Sequence, residues 1–295
     1  GGTPQSRAAI TGDGKIVTLN LNGHTITGGW FDMGDNNKPT SCTLKIIGEG
    51  SHKSLDGAGG YSGVSPKATL DLSEWEGGTI SAINISDDSR YEAETREAAV
   101  IVGPKAGTIE ELSFGNNQLG ELKKTKLSGG SFNQIWAANH VPVKLGELLA
   151  DGYAYQYTDG VDRFVEYTKT LQGESIYNVE VVKCPHADAK DGKCLYCNQD
   201  GIRARVGDTA YDDVGKAVKG WLAKGGTLKL LTDYGEGFDA KALDLSSASA
   251  EWLTIDLNGH TFYQNCKNNI NLSGGKRLTI TDSKEKTGSQ GAFGP

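Results

Sequence analysis

No run of lysine or arginine occurs anywhere in the 295 residues, and acidic side chains outnumber basic ones, 37 to 30, for a net charge of −7. Phosphate backbones are gripped by clustered cations, so nucleic acid is excluded as the expected partner. Binding to an anionic membrane surface through a polybasic patch is disfavoured for the same reason. No apolar run approaches the ~18 residues that a spanning helix requires, so no membrane insertion is expected within the chain. The sequence lacks a P-loop, a G-x-S-x-G elbow, an H-E-x-x-H pair and a GxGxxG feeding a helix, and the expectation is a protein that is not an enzyme. A leader-like start is missing too. The opening Gly-Gly and the closing Gly-Ala-Phe-Gly-Pro read as the ends of an excised fragment.

Methionine is nearly absent, with one residue, whereas glycine is abundant at 41. That is about twice the usual share of ~7%. Excess glycine without a collagen period points to many tight turns, hence many short strands. The charged fraction of 23% is ordinary and does not suggest disorder.

An internal repeat organises the chain. Residues 17–25, Val-Thr-Leu-Asn-Leu-Asn-Gly-His-Thr, return at 253–261 as Leu-Thr-Ile-Asp-Leu-Asn-Gly-His-Thr, an offset of 236 residues taking His24 against His260. Both copies alternate: Val17, Leu19 and Leu21, like Leu253, Ile255 and Leu257, face one side. Period two marks a half-buried strand, and the Asn-Gly after it supplies a turn that tolerates positive φ. Further strand signals follow at Leu44–Ile46, Leu70–Leu72, Ile83–Ile85, Val100–Val102, Leu112–Phe114 and Leu127–Phe132. Leu19, Leu44 and Leu70 lie 25 and 26 residues apart. Short strands at that spacing, joined by Gly/Asn/Ser turns, suit the coils of a parallel β-helix better than a sandwich.

A solenoid end must be covered. Residues 211–224 are a candidate capping helix, with Val214, Ala217, Val218, Trp221 and Leu222 on one face, Asp212 or Asp213 as cap and Gly225-Gly226 as stop. Trp221 and Trp252 are expected in the core, and Trp30, after the Gly28-Gly29 turn, on the surface. The expected fold is mainly β: right-handed parallel β-helix units with a small zinc-knuckle linker module and a capping helix. The expected division is a β-helix unit at 1–142, a cap or linker region with the knuckle at 143–205, and the start of a second unit at 206–295. A short helix is expected within Val143–Ala150.

Cys184-Pro185-His186 and Cys194-Leu195-Tyr196-Cys197 form a C-x-H…C-x-x-C pair. Three thiolates and one imidazole complete a tetrahedron on Zn²⁺ and leave no open position for water, so the expected cofactor is a structural zinc ion. Lys183 and Lys193 are placed to offset the one excess negative charge. A Cys194–Cys197 or Cys184–Cys194 disulfide is the competing reading. The remaining cysteines, Cys42 and Cys266, are read as free thiols or as one long-range disulfide; five cysteines in all do not make a complete disulfide framework. His24 and His260 repeat without a catalytic partner and read as turn residues. The Asp87-Asp88-Ser89-Arg90 cluster reads as a solvated turn. Tyr153, Tyr155 and Tyr157 alternate along a strand; they are candidates both for packing and, with Trp30, for contact with a partner.

Several strings together resemble repeat-built cell-surface proteins of Gram-positive gut commensals. They are Gly225–Leu231, Thr254–Thr261, Leu278–Ser283, Leu149–Tyr155 and Cys184–Cys197. The likeness covers most of the chain, with residues 28–130 matching only as generic coils. Some such proteins are immunoglobulin-binding B-cell superantigens. The resemblance therefore implies an extracellular location at a bacterial cell surface and a host protein as partner, with immunoglobulin variable domains the specific expectation. A carbohydrate-active β-helix, whether lyase, hydrolase or glycan-binding module, is the alternative.

Overall fold

The computed structural model describes residues 7–33, 41–53, 59–62, 67–85, 98–115, 124–161, 163–190, 193–234, 243–263, 270–284 and 292–294. Half of the chain is strand and 7% helix, arranged as stacked parallel coils of a β-solenoid of about eight turns. In chain order the first strands are Arg7–Ile10 (β1), Ile16–Asn20 (β2), Thr25–Thr27 (β3), Gly29–Met33 (β4), Thr43–Gly48 (β5), Ser51–Lys53 (β6), Gly59–Ser62 (β7), Thr69–Trp75 (β8) and Thr79–Ile85 (β9). Then come Ala99–Val102 (β10), Thr108–Phe114 (β11), Lys126–Leu127 (β12), Ser131–Ala137 (β13), Val143–Lys144 (β14), the helix Leu145–Leu148 (α1), Tyr153–Tyr157 (β15), Thr170–Leu171 (β16) and Ser175–Lys183 (β17). The remainder is Ala189–Lys190 (β18), Lys193–Cys194 (β19), Ala204–Val206 (β20), Thr209–Tyr211 (β21), the helix Val214–Lys224 (α2), Gly226–Leu230 (β22), Trp252–Asp256 (β23), Thr261–Tyr263 (β24), Arg277–Thr281 (β25) and Ala292–Gly294 (β26).

The chain divides into two compact units, Gly1–Lys183 and Cys184–Pro295. In the first, one sheet runs β2-β5-β8-β10-β12 and another runs from β1 through β4, β7, β9, β11 and β13 to β17 and β15. Pairing within the coils is parallel and, apart from one shift between Lys45 and Ile47 where β5 meets β8, in register, which stacks like side chains into inward ladders. Val17, Leu44, Leu70 and Val100 form one such ladder. Ile83, Leu112 and Ile135 form another on the opposite sheet. Leu44, Leu70, Val100, Ile83, Leu112 and Ile135 are fully buried. The alternation read from the sequence is thus the inside–outside alternation of the coil wall.

Neighbouring coils approach so closely at one corner that only glycine fits. A Cβ on Gly78, where φ is +97°, would lie 2.1 Å from the Gly50 carbonyl oxygen, and one on Gly107 would lie 2.2 Å from the Gly78 oxygen. The glycine excess is partly this ladder, one residue per coil.

The last strands of the first unit turn antiparallel: β17 pairs with β13, and β15 with β17. Within the 143–205 region expected as a cap or linker, β15 and β17 therefore extend the sheet of the first unit, while β14 and β16 pair with each other. The expected helix near 143–150 is the single turn α1, against which the Tyr155 hydroxyl donates to the Leu145 carbonyl at 3.4 Å.

In the second unit the sheet order is β21-β20-β22-β23-β25. The capping helix forms as α2, three residues later than its expected start, because Asp213 is the cap: its carboxylate accepts from the Lys216 N–H at 2.7 Å. Val214, Ala217 and Trp221 are buried, and the Trp221 indole N–H donates to the Gly226 carbonyl at 2.9 Å. Trp252 does not join the core. It is 59% exposed, because its register places it outside the ladder of Leu253 and Ile255. The Arg277 guanidinium lies over its ring, 4.4 Å from the centroid.

Candidate metal centre

The centre is built on a short hairpin. β18 and β19 pair antiparallel, with Ala189 opposite Cys194. Beyond the hairpin the chain folds back: the Asn198 N–H donates to the Cys194 carbonyl, and the Cys194 N–H to the Gln199 carbonyl. Two residues take left-handed backbone to make these bends, His186 at φ 50° and Asn198 at φ 58°. Asparagine and histidine are both among the non-glycine residues enriched in that region.

Folding this way brings four candidate ligand atoms, from Cys184, His186, Cys194 and Cys197, to within 4.8 Å of one another. The Cys184 and Cys194 sulfurs are 3.5 Å apart, and Cys197 Sγ lies 3.4 Å from His186 Nδ1. A tetrahedral ion with bonds of ~2.3 Å sets its ligand atoms roughly 3.7 Å apart, so the cluster has the right size for one. The 3.5 Å separation is not a disulfide, whose sulfurs sit ~2.05 Å apart. Cys184 and Cys194 are buried, and His186 and Cys197 are half-buried.

The backbone is arranged for anionic sulfur. The His186 N–H points at Cys184 Sγ at 3.4 Å, and the Tyr196 N–H at Cys194 Sγ at 3.5 Å. Such amide donors favour a thiolate over a thiol. Without a cation Cys184, His186 and Cys194 compete for protons through their hydrogen bonds. Hydrogen bonding from Cys184, then Cys197, holds the Cys194 thiol far below its ordinary range, while the same bonding to Cys194 and Cys197 pushes Cys184 up. His186 is pushed up to about 9 by its contacts with Cys194 and Cys197. A divalent cation would replace these shared protons. Lys193, expected to balance charge here, instead reaches Asp200 at 3.5 Å.

The other expected sites are dispersed. Tyr155 is buried and its phenol pushed up by desolvation, so it is a core residue and not a contact for a partner. Tyr153 and Tyr157 are half-buried and pack on the same core. Arg163 lies over the Tyr157 ring at 4.9 Å. Trp30 sits half-buried in β4, where an exposed position was expected. Cys42 is buried. Cys266 and the Asp87–Arg90 cluster lie outside the described residues.

His24 and His260 do occupy equivalent turns. His24 N–H donates to the Leu21 carbonyl and His260 N–H to the Leu257 carbonyl, both at 2.8 Å. In the second unit Asp233 adds a contact, 3.5 Å from His260 Nδ1. Sequence reading missed this partner, although Asp233 follows the Leu-Leu of a neighbouring coil in plain view. It also missed Asp256, a buried carboxylate that accepts from the Ser283 hydroxyl at 2.6 Å and the Asn258 N–H at 3.0 Å. Those bonds tie one turn to the next and leave the carboxylate engaged in structure.

No helix among the described residues is long and apolar enough to cross a membrane. No family model, no curated protein and no solved structure matches the chain.

Proposed function

We propose that the chain is part of a non-enzymatic bacterial surface protein that binds a host protein, with immunoglobulin variable domains as the target, and that its four-ligand cluster holds a structural zinc ion. The observation that carries the binding reading is the repeated strand–turn. Of the strings by which the sequence resembles surface proteins of gut commensals, Thr254–Thr261 falls on β23 and its turn, and its internal repeat at 17–25 falls on β2 with the same turn, closed by the His24 and His260 N–H bonds to the Leu21 and Leu257 carbonyls. A scaffold of this kind displays coil faces and does not by itself select a ligand, so the target rests on the resemblance. Co-migration of the chain with polyclonal immunoglobulin and with isolated Fab, measured by size-exclusion chromatography, tests it. A complex with Fab is expected; free migration beside every Fab pool sinks the reading.

Zinc is favoured over other divalent ions by the donor set of three sulfurs and one imidazole nitrogen. With four protein ligands no position is left for substrate or water, which supports a structural role. Elemental analysis of purified protein should find one zinc per chain.

One observation favours a second reading, a glycan-binding β-helix. Trp252 offers an indole on the outer face of β23 that is exposed apart from the Arg277 guanidinium over its ring, and sugar rings stack on such surfaces. A polysaccharide panel distinguishes the two: retention of any glycan that is lost in Trp252→Ala supports the second reading, and silence across the panel removes it.

A further inference from the structure

The hairpin that carries the metal ligands can be closed in a second way. Cys184 and Cys194 are 8% and 2% exposed, and their sulfurs lie 3.5 Å apart. A disulfide holds its sulfurs ~2.05 Å apart, so this pair has only about 1.5 Å to travel. The structure that must yield is slight. Cys194 sits on the two-residue strand β19, opposite Ala189, and neither cysteine belongs to an apolar core. Cys197 differs from the pair. It is half-buried, so solvent reaches it, and its sulfur lies within 4.8 Å of the other two.

A bond between Cys184 and Cys194 would span the hairpin, joining residues ten apart in sequence. The β18–β19 pairing and the bond from the Leu195 N–H to the Asp188 carbonyl at 3.1 Å lie inside that loop or at its edge. Such a cross-link restricts the open chain as a metal ion bound at both ends does.

We infer that the cluster is an oxidant-responsive modification site: a peroxide converts Cys184 and Cys194 to a disulfide, the ion leaves, and the disulfide holds the hairpin closed in its place. The inference rests on the metal reading for the ion it releases, and on the cysteines alone for the bond it forms. Cys197 takes the oxidant first. Its sulfur attacks one peroxide oxygen, the O–O bond breaks, and the departing hydroxide takes a solvent proton to become water, leaving a sulfenic acid. The Cys194 thiolate attacks that sulfur, forming Cys194–Cys197 and expelling a second hydroxide, which is also protonated to water. Cys184 then attacks the Cys194 sulfur and displaces the Cys197 thiolate. In sum, two electrons pass from the Cys184 and Cys194 sulfurs to the peroxide, and two protons are taken from solvent. Cys197 and His186 remain as ligands, too few for a closed tetrahedral site.

Hydrogen peroxide added to the reduced, metal-free chain tests the bond. Free thiols are then alkylated, and the chain is cut with trypsin and chymotrypsin for mass spectrometry. Cleavage after Lys190, Lys193 and Leu195 or Tyr196 separates the three cysteines, so each possible pair has its own mass. Cys184–Cys194 is expected as the dominant product. Cys197→Ser should slow its formation roughly fivefold or more, and an unchanged rate overturns the relay. In the zinc-loaded chain a colorimetric chelator should find one ion released for each disulfide formed. Amide exchange across residues 193–198 should be roughly tenfold slower in the oxidised chain than in the reduced, metal-free chain. The proposal is overturned if no Cys184–Cys194 bond forms, if it forms while zinc stays bound, or if the oxidised hairpin exchanges as fast as the reduced, metal-free one. Absence of zinc from the reduced chain is a separate result: it removes the metal assignment, and the disulfide mapping still decides the bond.

Discussion

At the scale of the residue, the four-residue cluster was legible because ligand spacing is chemistry written along the chain. Cys184 and His186, then Cys194 and Cys197, need only a hairpin between them to converge, and β18–β19 provides it. The tyrosine stripe was less legible. Alternation placed Tyr153, Tyr155 and Tyr157 on one strand but could not say what would lie over them. The answer came from α1, whose Leu145 carbonyl takes the Tyr155 hydroxyl. The cluster carries the first prediction. Cys194→Ser should cut bound metal from one ion per chain to well below one, read by elemental analysis, while retaining the strand signature in far-UV circular dichroism. Undiminished metal in that variant would contradict the assignment. Affinity should also fall as the solution is acidified, because protons compete for the three sulfurs and the imidazole. A colorimetric chelator should therefore strip the ion more readily at acidic pH than at neutral pH, and a pH-independent competition would count against these ligands.

Elements were read best where periodicity was long. The α2 face of Val214, Ala217 and Trp221 was set by its 3.6-residue period. The two tryptophans show what limits such reading. Trp221 falls on the helical face and is buried, whereas Trp252 precedes the inward series Leu253, Ile255, Leu257 by one residue and is outside. The alternation already contained that answer, and the general preference of tryptophan for cores obscured it. Coil registration was harder, since parallel pairing depends on turn lengths that composition does not report. Two predictions belong here. Asp213→Ala removes the acceptor for the Lys216 N–H and should cost ~1 kcal/mol, seen as a lower denaturation midpoint with an unchanged slope. Gly107→Ala must push a methyl against the Gly78 carbonyl and should cost about 1–3 kcal/mol. A neutral Gly107→Ala would mean that the coils can separate at that corner.

For the whole molecule the question is how far the metal matters. Small metallo-domains unfold when the ion is removed, because binding energy is their folding energy. This chain is built differently. The apolar core of the first unit runs from Ile10 to Val181 and that of the second from Ala204 to Phe262, and none of the four ligands belongs to either. Loss of a bound ion would therefore remove no residue from a buried ladder. It would free the segment that carries the four ligands, whose described residues are ordered by the two-residue pairing of β18 with β19 and a few turn hydrogen bonds. Hydrogen exchange with and without a strong chelator should show faster exchange across residues 184–200. Protection should be unchanged in β8, β9, β11 and β13 and in β22 and β23. Collapse of protection throughout both units on chelation would show instead that the ion is part of the global fold, and that the two solenoid cores do not stand without it.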